Sequence, residues 1–263
     1  MRKPLVSIIS INYNSLSDTI EFLESVDRLT YPELEIILVD NASRENPKEI
    51  INRQFPKVHL IVSSENLGFA GGNNLGILAS KGEYLLFLNN DTLLFPDFVE
   101  TLVDFMQAHP DAGMASPKVL FPDGKTIQYA GTTRISELTG RGDRLGLSEI
   151  DRGQYDRTYK TGLGHGAALI VPRKVVDEVG LMPELYFLYY EEHDWCEQIK
   201  RKGYSMYYIG TAKILHKESM SIGGTESPLK VYYLTRNRLL FMRRNTSGIN
   251  LTLGIFSFHK ILQ

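Results

Sequence analysis

Tyr84-Leu-Leu-Phe-Leu-Asn-Asn-Asp91 decides the fold: a short unbroken apolar run that stops on two amides and a carboxylate. Such a run, with no polar alternation, fits a strand buried on both faces, as in parallel sheets. Working outward, Gly71–Ser80 reads as the preceding helix, and Val58–Val62, Glu35–Val39 and Leu5–Ile11 as earlier strands. Leu16–Leu29 carries Leu16, Ile20, Leu23 and Val26 at helical spacing, and Pro47–Phe55 reads as a second connecting helix. Strands alternating with amphipathic helices make βαβ units. The expected class is α/β, with a mainly parallel central sheet covered by helices on both faces. In such sheets ligands sit beyond the carboxyl ends of the strands. The segments lying there are Asn12-Tyr13-Asn14, Asp40-Asn41, Ser63 to Gly72 and Asn89-Asn90-Asp91, all polar, glycine-rich or acidic.

The second half is less regular. Thr132–Thr161 is rich in Gly, Arg and Asp and is expected as a long surface loop. Ala167–Val171 reads as a strand, and Arg173–Val179 and Glu191–Lys202 as helices. Ser205–Ile209 and Lys213–His216 read as two short strands, followed by a helix over Leu229–Arg244. No repeat and no linker divides the chain, so one domain is expected.

Composition removes several classes. Among 263 residues, 29 basic and 31 acidic side chains give a net charge of −2, without the basic excess of a nucleic-acid binder. The single cysteine, Cys196, excludes an internal disulfide and suits a reducing compartment. The apolar run after Met1-Arg2-Lys3-Pro4 is short and meets Asn12, so it reads as a strand and not as a secretory leader. No apolar stretch reaches the roughly 18 residues of a membrane span. A cytoplasmic location is the expectation.

Four features carry chemistry. Asp91, where a strand stops, can hold a divalent cation such as Mg²⁺ or Mn²⁺ through oxygen ligation shared with a phosphate. Alone, the triplet also fits an ordinary strand end. Asn66-Leu-Gly-Phe-Ala-Gly-Gly-Asn-Asn-Leu-Gly76 allows close approach of backbone to a ligand, but lacks the spacing of a dinucleotide fingerprint or a P-loop. In Tyr189-Tyr-Glu-Glu-His-Asp-Trp-Cys196, helical spacing groups Glu192 with Trp195, Cys196 and Ile199 on an inward face. Glu192 is therefore the expected general base, while Glu191, Asp194 and Gln198 fall on a wetter side. Burial would raise its pKa and the helix N-terminus would lower it. His216 is a structural strand-end histidine unless Asp91 holds a metal beside it.

In this order the segments resemble glycosyltransferase family 2. They are Val6-Ser-Ile-Ile-Ser-Ile-Asn-Tyr-Asn14, Ile37-Leu-Val-Asp-Asn-Ala-Ser43, Asn66 to Gly76, Leu86-Phe-Leu-Asn-Asn-Asp-Thr92, Gly166-Ala-Ala-Leu-Ile170, Phe187-Leu-Tyr-Tyr-Glu-Glu-His-Asp194 and His216. The resemblance spans about residues 4 to 245 and is greatest to the subgroup that adds rhamnose or similar sugars to bacterial polysaccharides. It implies a single Rossmann-like domain of the GT-A type over residues 1–248. Residues 1–92 would be the nucleotide-binding half and 93–248 the acceptor half, with an apolar segment over 249–263.

It also implies residue roles. Tyr13 and Asn14 would pack on the nucleotide base, Asp40 would bind base or ribose, and Asn66, Gly68 and Asn74 would line the pocket. Asn90 and Asp91 would meet the diphosphate, with Asp91 and His216 holding Mn²⁺ or Mg²⁺. Glu192 falls at the base position, and Glu191, Asp194 and His165 are acceptor-side candidates. Partners would be a nucleotide-diphospho-sugar donor and a glycan or lipid-linked acceptor, with no nucleic acid. Arg243-Arg244 and the apolar 249–263 segment add an expected contact with the inner face of the cell membrane. Four departures stand out: Asn89 replaces the first acid of the metal motif, Glu192 stands where Asp is usual, Pro183 replaces an acid and Gln198 a basic residue. Two rival readings follow: a nucleotidyltransferase, disfavoured by Asn-Tyr-Asn-Ser after the first strand, and a nucleotide-sugar-binding module without catalysis.

Overall fold

Side-chain alternation along the strands builds two cores, one on each face of the sheet. A computed structural model describes residues 2–218, 227–248 and 252. In chain order its elements are β1 (Val6–Asn12), α1 (Leu16–Val26), β2 (Leu34–Asp40), α2 (Lys48–Gln54), β3 (Val58–Val62) and α3 (Gly68–Ala79). They continue with β4 (Tyr84–Leu88), β5 (Thr92–Leu94), α4 (Phe98–Ala108), β6 (Ala112–Leu120), β7 (Ile127–Tyr129) and β8 (Thr158–Lys160). The last are β9 (Ala168–Pro172), α5 (Arg173–Val179), α6 (Glu191–Arg201), β10 (Ser205–His216) and α7 (Pro228–Asn245). Ile8, Leu38, Leu86 and Ile170 face Phe22, Leu23, Ile51 and Phe98 of α1, α2 and α4. Their neighbours Ile9, Ile37, Phe87 and Leu169 face Ala70, Ile77, Val176 and Trp195 of α3, α5 and α6. Burying each such side chain contributes about 1.5–3 kcal/mol, which is why the strands read as unbroken apolar runs.

The sheet runs β3-β2-β1-β4-β9-β6-β10-β5, with β7 on β6 and β8 on β10. The two longest ladders, β1–β2 and β6–β10, are parallel, as are β2–β3 and β1–β4. Antiparallel β9 joins the two parallel blocks, so the second half of the sheet is mixed. Strand order reverses between β1 and β4, the switch point at which such sheets open a crevice. The carboxyl ends there carry Asn12–Asn14 and Asn89–Asp91.

Three sequence expectations change. The two short strands over 205–216 are one strand, β10, with a register shift between Ile209 and Lys213. The expected surface loop Thr132–Thr161 folds back on itself: Thr133 N–H bonds Asp143 O at 3.0 Å, Leu145 N–H bonds Gly131 O at 2.8 Å, and residues 158–160 join the sheet. A buried cation anchors it, since the Lys118 side chain is 0% exposed and bonds Asp151 at 2.8 Å, with Asp156 on the same ammonium. Finally, α4 and β6 have no counterpart among the expected elements. In β6, Gly113, Pro117 and Lys118 interrupt the apolar signal, although the strand is buried throughout. The apolar segment 249–263, apart from Thr252, lies outside the described residues.

Candidate active site

A polar relay crosses the strand ends at the switch point. The Asn12 amide donates to Asp40 Oδ1 at 2.7 Å and to Ser43 Oγ at 3.0 Å. Asn12 Oδ1 accepts from Thr19 Oγ1 at 2.9 Å, and that hydroxyl accepts from the Asn90 amide at 2.8 Å. Asp40 is buried and also takes the Ser43 N–H at 3.2 Å, so it first shapes the turn after β2. Asn14, at φ +54°, takes the Arg44 N–H on its amide oxygen at 2.8 Å, while Tyr13 is 40% exposed at the mouth. Left-handed backbone suits Asn better than most residues.

The glycine-rich block joins this floor through Asn41. Its amide donates to Asn66 Oδ1 and Gly68 O, both at 3.0 Å, and its oxygen accepts the Leu67 N–H at 3.0 Å. Gly68 needs its identity: at φ +70° a Cβ would stand 2.1 Å from Phe187 O. Asn74 departs from expectation. Its amide donates to Met182 O at 2.9 Å and Glu184 Oε1 at 2.7 Å, and its oxygen takes the Met182 N–H at 3.0 Å. It pins the 182–184 segment instead of lining the pocket, because α3 turns that side of its helix toward the turn at Glu184–Tyr186.

Asp91 and His216 are 125 residues apart in sequence and adjacent in space. The antiparallel register of β5 on β10 sets His216 opposite Thr92, and His216 Nε2 lies 3.2 Å from Asp91 Oδ1. His216 Nδ1 meets Gln128 Oε1 at 2.7 Å, so the Nδ1 proton donates to the glutamine and the ring turns Nε2 to Asp91. At this distance Nε2 and the carboxylate oxygen can share either a proton or a cation. Two atoms sharing a divalent ion at about 2.1 Å stand roughly 3 Å apart when cis, so the pair fits Mn²⁺ or Mg²⁺. Among the described residues no group of three or more His, Cys, Asp and Glu is placed for a metal, so diphosphate and water oxygens would complete the shell. Asn89, where an acid was expected, turns its amide to His216 Nε2 at 3.4 Å.

The carboxylates of α6 reach this point from the other side. Asn89 N–H bonds Ala167 O at 3.0 Å, and a Cβ on the preceding Gly166 would lie 3.5 Å from Glu192 Oε1. His165, whose imidazole burial pushes down to about 3, stands between, its ring centroid 6.0 Å from that of His216. Glu192 thus lies beside Gly166, one residue before the Ala167 that pairs with Asn89. The expected wet side of α6 is overturned. Glu191 is 3% exposed and Asp194 0%, whereas the Glu192 side chain keeps 16% exposure. Helix α7 covers the face that spacing assigned to solvent. Asp194 is held there by Arg244 Nε at 2.7 Å and Asn245 Nδ2 at 2.8 Å, which makes it an anchor and not an acceptor contact. Glu191 is likewise closed to an acceptor.

Electrostatics separates the two glutamates. Burial, then the Glu192 charge beside it, pushes the Glu191 carboxyl well above its usual range. Burial also pushes Glu192 up, but the His193 imidazole 3.5 Å away and the backbone at the helix start hold it below the usual range. The two carboxyls are thus pushed in opposite directions, Glu191 up and Glu192 down. Sequence reasoning missed Gln128, which orients His216 from β7 in a stretch with no motif signal.

A sequence model described as Glycosyl transferase family 2 matches residues 7–180. The chain belongs to that family. This transferase is 25% identical over 239 residues to the low-salt glycan biosynthesis hexosyltransferase Agl10 of Haloferax volcanii, covering 89% of this chain and 74% of the relative. It is 24% identical over 241 residues to the N-acetylglucosaminyl-diphospho-decaprenol L-rhamnosyltransferase of Mycobacterium tuberculosis, covering 83% and 78%. The dTDP-rhamnosyl transferase RfbF of Shigella flexneri is 27% identical over 220 residues, covering 80% and 71%. In fold it matches the Pyrobaculum calidifontis mannosyltransferase PcManGT, solved with GDP-Man and Mn²⁺, at TM-score 0.68 and 16% identity, over 100% of this chain and 70% of that one. The architecture is that of GT-A glycosyltransferases. No helix among the described residues is long and apolar enough to cross a membrane.

Proposed function

We propose that this glycosyltransferase moves a hexosyl or rhamnosyl group from a nucleoside-diphospho-sugar to a hydroxyl of a glycan or lipid-linked acceptor, with inversion. The observation that carries the reading is the Glu192 carboxylate beside Gly166, whose neighbour Ala167 pairs with Asn89 of the segment that sets Asp91 against His216. The names of the mycobacterial and Shigella relatives favour rhamnose, and the first relative's name favours a hexose.

Tyr13, Asn14 and the Asn66–Gly68 loop take the nucleoside, and Asp91 and His216 are the residues that would hold a divalent cation for the diphosphate. When bound, that cation offsets charge on the departing diphosphate. Glu192 accepts the acceptor hydroxyl proton as its oxygen bonds to the anomeric carbon. The bond from that carbon to the diphosphate oxygen breaks with its electron pair leaving on the nucleotide. One displacement inverts the centre.

The test is a panel of dTDP-, UDP- and GDP-sugars with Mn²⁺, scored first by calorimetric binding and then by transfer to a lipid-diphosphate-linked sugar. Binding followed by transfer with inverted stereochemistry is expected. Binding without transfer or hydrolysis of any donor overturns the enzymatic reading.

A further inference from the structure

The base helix begins from an unusual loop. Phe187, Tyr189 and Tyr190 have φ of +67°, +65° and +75°, although none is glycine, asparagine or aspartate. Bulky residues hold this left-handed backbone only where the surroundings over-determine it, and such places cluster at active sites. No side chain caps α6, so its first turn takes its direction from this loop.

The carbonyl groups of residues 185–189 are all claimed from outside the loop. Asn237 of α7, 0% exposed, turns its amide nitrogen to Tyr186 O at 2.9 Å, Leu188 O at 2.7 Å and Tyr189 O at 2.9 Å. Its own oxygen accepts from Arg236 Nη1 at 2.9 Å, and the same guanidinium donates to Leu185 O at 3.1 Å and Tyr186 O at 3.3 Å. The remaining carbonyl, of Phe187, points the other way and takes the Phe69 N–H of the donor loop at 2.7 Å. Two residues later stand Glu191 and Glu192.

We propose that Asn237, braced by Arg236, is a positioning residue for Glu192: it fixes the left-handed loop that aims the base at the acceptor hydroxyl. The inference rests on the reading of Glu192 as the base. An amide is the group this place requires. It supplies two hydrogens to three converging carbonyls, while its oxygen meets a cation instead of a fourth carbonyl. A carboxylate of the same shape would set negative oxygen against the three carbonyls. The donor pocket is built on β1, β2 and the Asn66–Gly68 loop, and the clamped segment meets it at Phe187, whose carbonyl Asn237 does not hold, so loss of the clamp should misplace the base more than it weakens the donor.

The experiment compares Asn237→Asp, Arg236→Ala, Glu192→Gln and the double variant Glu192→Gln/Asn237→Asp, reading donor affinity and stoichiometry by calorimetry and single-turnover transfer at saturating donor. A misplacement near 1 Å can cost up to about 100-fold in rate. Asn237→Asp is expected to bind donor with near-normal affinity and full stoichiometry while transfer falls at least about 10-fold, and the double variant to be no slower than Glu192→Gln. Arg236→Ala, an exposed change that removes only the brace, is expected to show the same split at about 3-fold. If Asn237→Asp does not fold, Arg236→Ala decides. Transfer near the wild-type rate in the variants that fold, alongside a dead Glu192→Gln, overturns the inference alone. So does a rate loss that only follows lost donor stoichiometry, or one that multiplies in the double variant. Near-normal transfer by Glu192→Gln overturns the base reading and the inference with it.

Discussion

His216 Nε2 stands 3.2 Å from Asp91 Oδ1, and the carboxylate is the one acid of its triplet. Neither Asn89 nor Asn90 can replace its charge, and the Asn90 amide is already bound to Thr19. Asp91→Asn should therefore abolish the Mn²⁺-dependent part of nucleoside-diphosphate affinity. Calorimetric titration of the diphosphate with and without Mn²⁺ checks this, and an unchanged Mn²⁺ effect would remove Asp91 from the metal shell.

Gln128 should matter for the same reason at one remove. Its oxygen holds the Nδ1 proton of His216 and so keeps Nε2 facing Asp91. Loss of such an orienting partner typically weakens metal affinity by about 10–100-fold. Gln128→Leu should show that drop in Mn²⁺ affinity, read by the free-ion signal in electron paramagnetic resonance, with diphosphate binding in the absence of metal unchanged. Wild-type Mn²⁺ affinity would show that Asp91 alone sets the site.

The sheet's first half and the strand-end position of Asp91 were legible because a strand buried on both faces writes an unbroken apolar run, and the carboxyl end of that run is where polar residues gather. The proximity of Asp91 to His216 was not legible, since it depends on β10 returning beside β5 in one register. The inward face of α6 was read correctly for Trp195, Cys196 and Ile199 and wrongly for Glu191 and Asp194. Helical spacing counts one buried face, and α6 has two because α7 packs on its other side. Lys118 hid β6 for a related reason: a lysine inside a strand reads as exposed until Asp151 and Asp156 are seen to enclose its ammonium.

That enclosure predicts acid sensitivity. Burial pushes the Asp151 carboxyl up, but Lys118, the Gly153 N–H and Lys213 hold it below its usual value, and the Lys118 hydrogen bond does the same for Asp156. Groups lowered in the folded state add stability above their unfolded pKa, near 4, and lose it as pH falls through the folded value. Lys118→Ala leaves Asp151 buried without its main partner and should cost about 3–5 kcal/mol at neutral pH, the usual result of breaking a buried pair. Urea unfolding from about pH 7 down to pH 3 should show the gap between variant and wild type narrowing toward the acid end. A gap that does not depend on pH would mean that lost packing, and not charge, destabilises the variant.

The three acids of α6 should separate by function. Glu192 is the ionised, partly open member beside Gly166, so Glu192→Gln should keep donor affinity and lose about 10²–10⁴-fold in single-turnover transfer. Glu191 is closed and its carboxyl is pushed well above the usual range, which disfavours its charged form. An amide imitates a neutral acid in size and polarity, and Glu191→Gln should therefore keep most of the rate. Asp194 bonds Arg244 and Asn245, so Asp194→Asn should lower stability by about 1.5–3 kcal/mol, the usual worth of hydrogen bonds to a charged group, while folded enzyme transfers normally. Transfer rates of the three variants, each divided by its calorimetric donor stoichiometry, give the comparison. A dead Glu191→Gln beside an active Glu192→Gln would move the base one residue and reverse the assignment of charge within the pair.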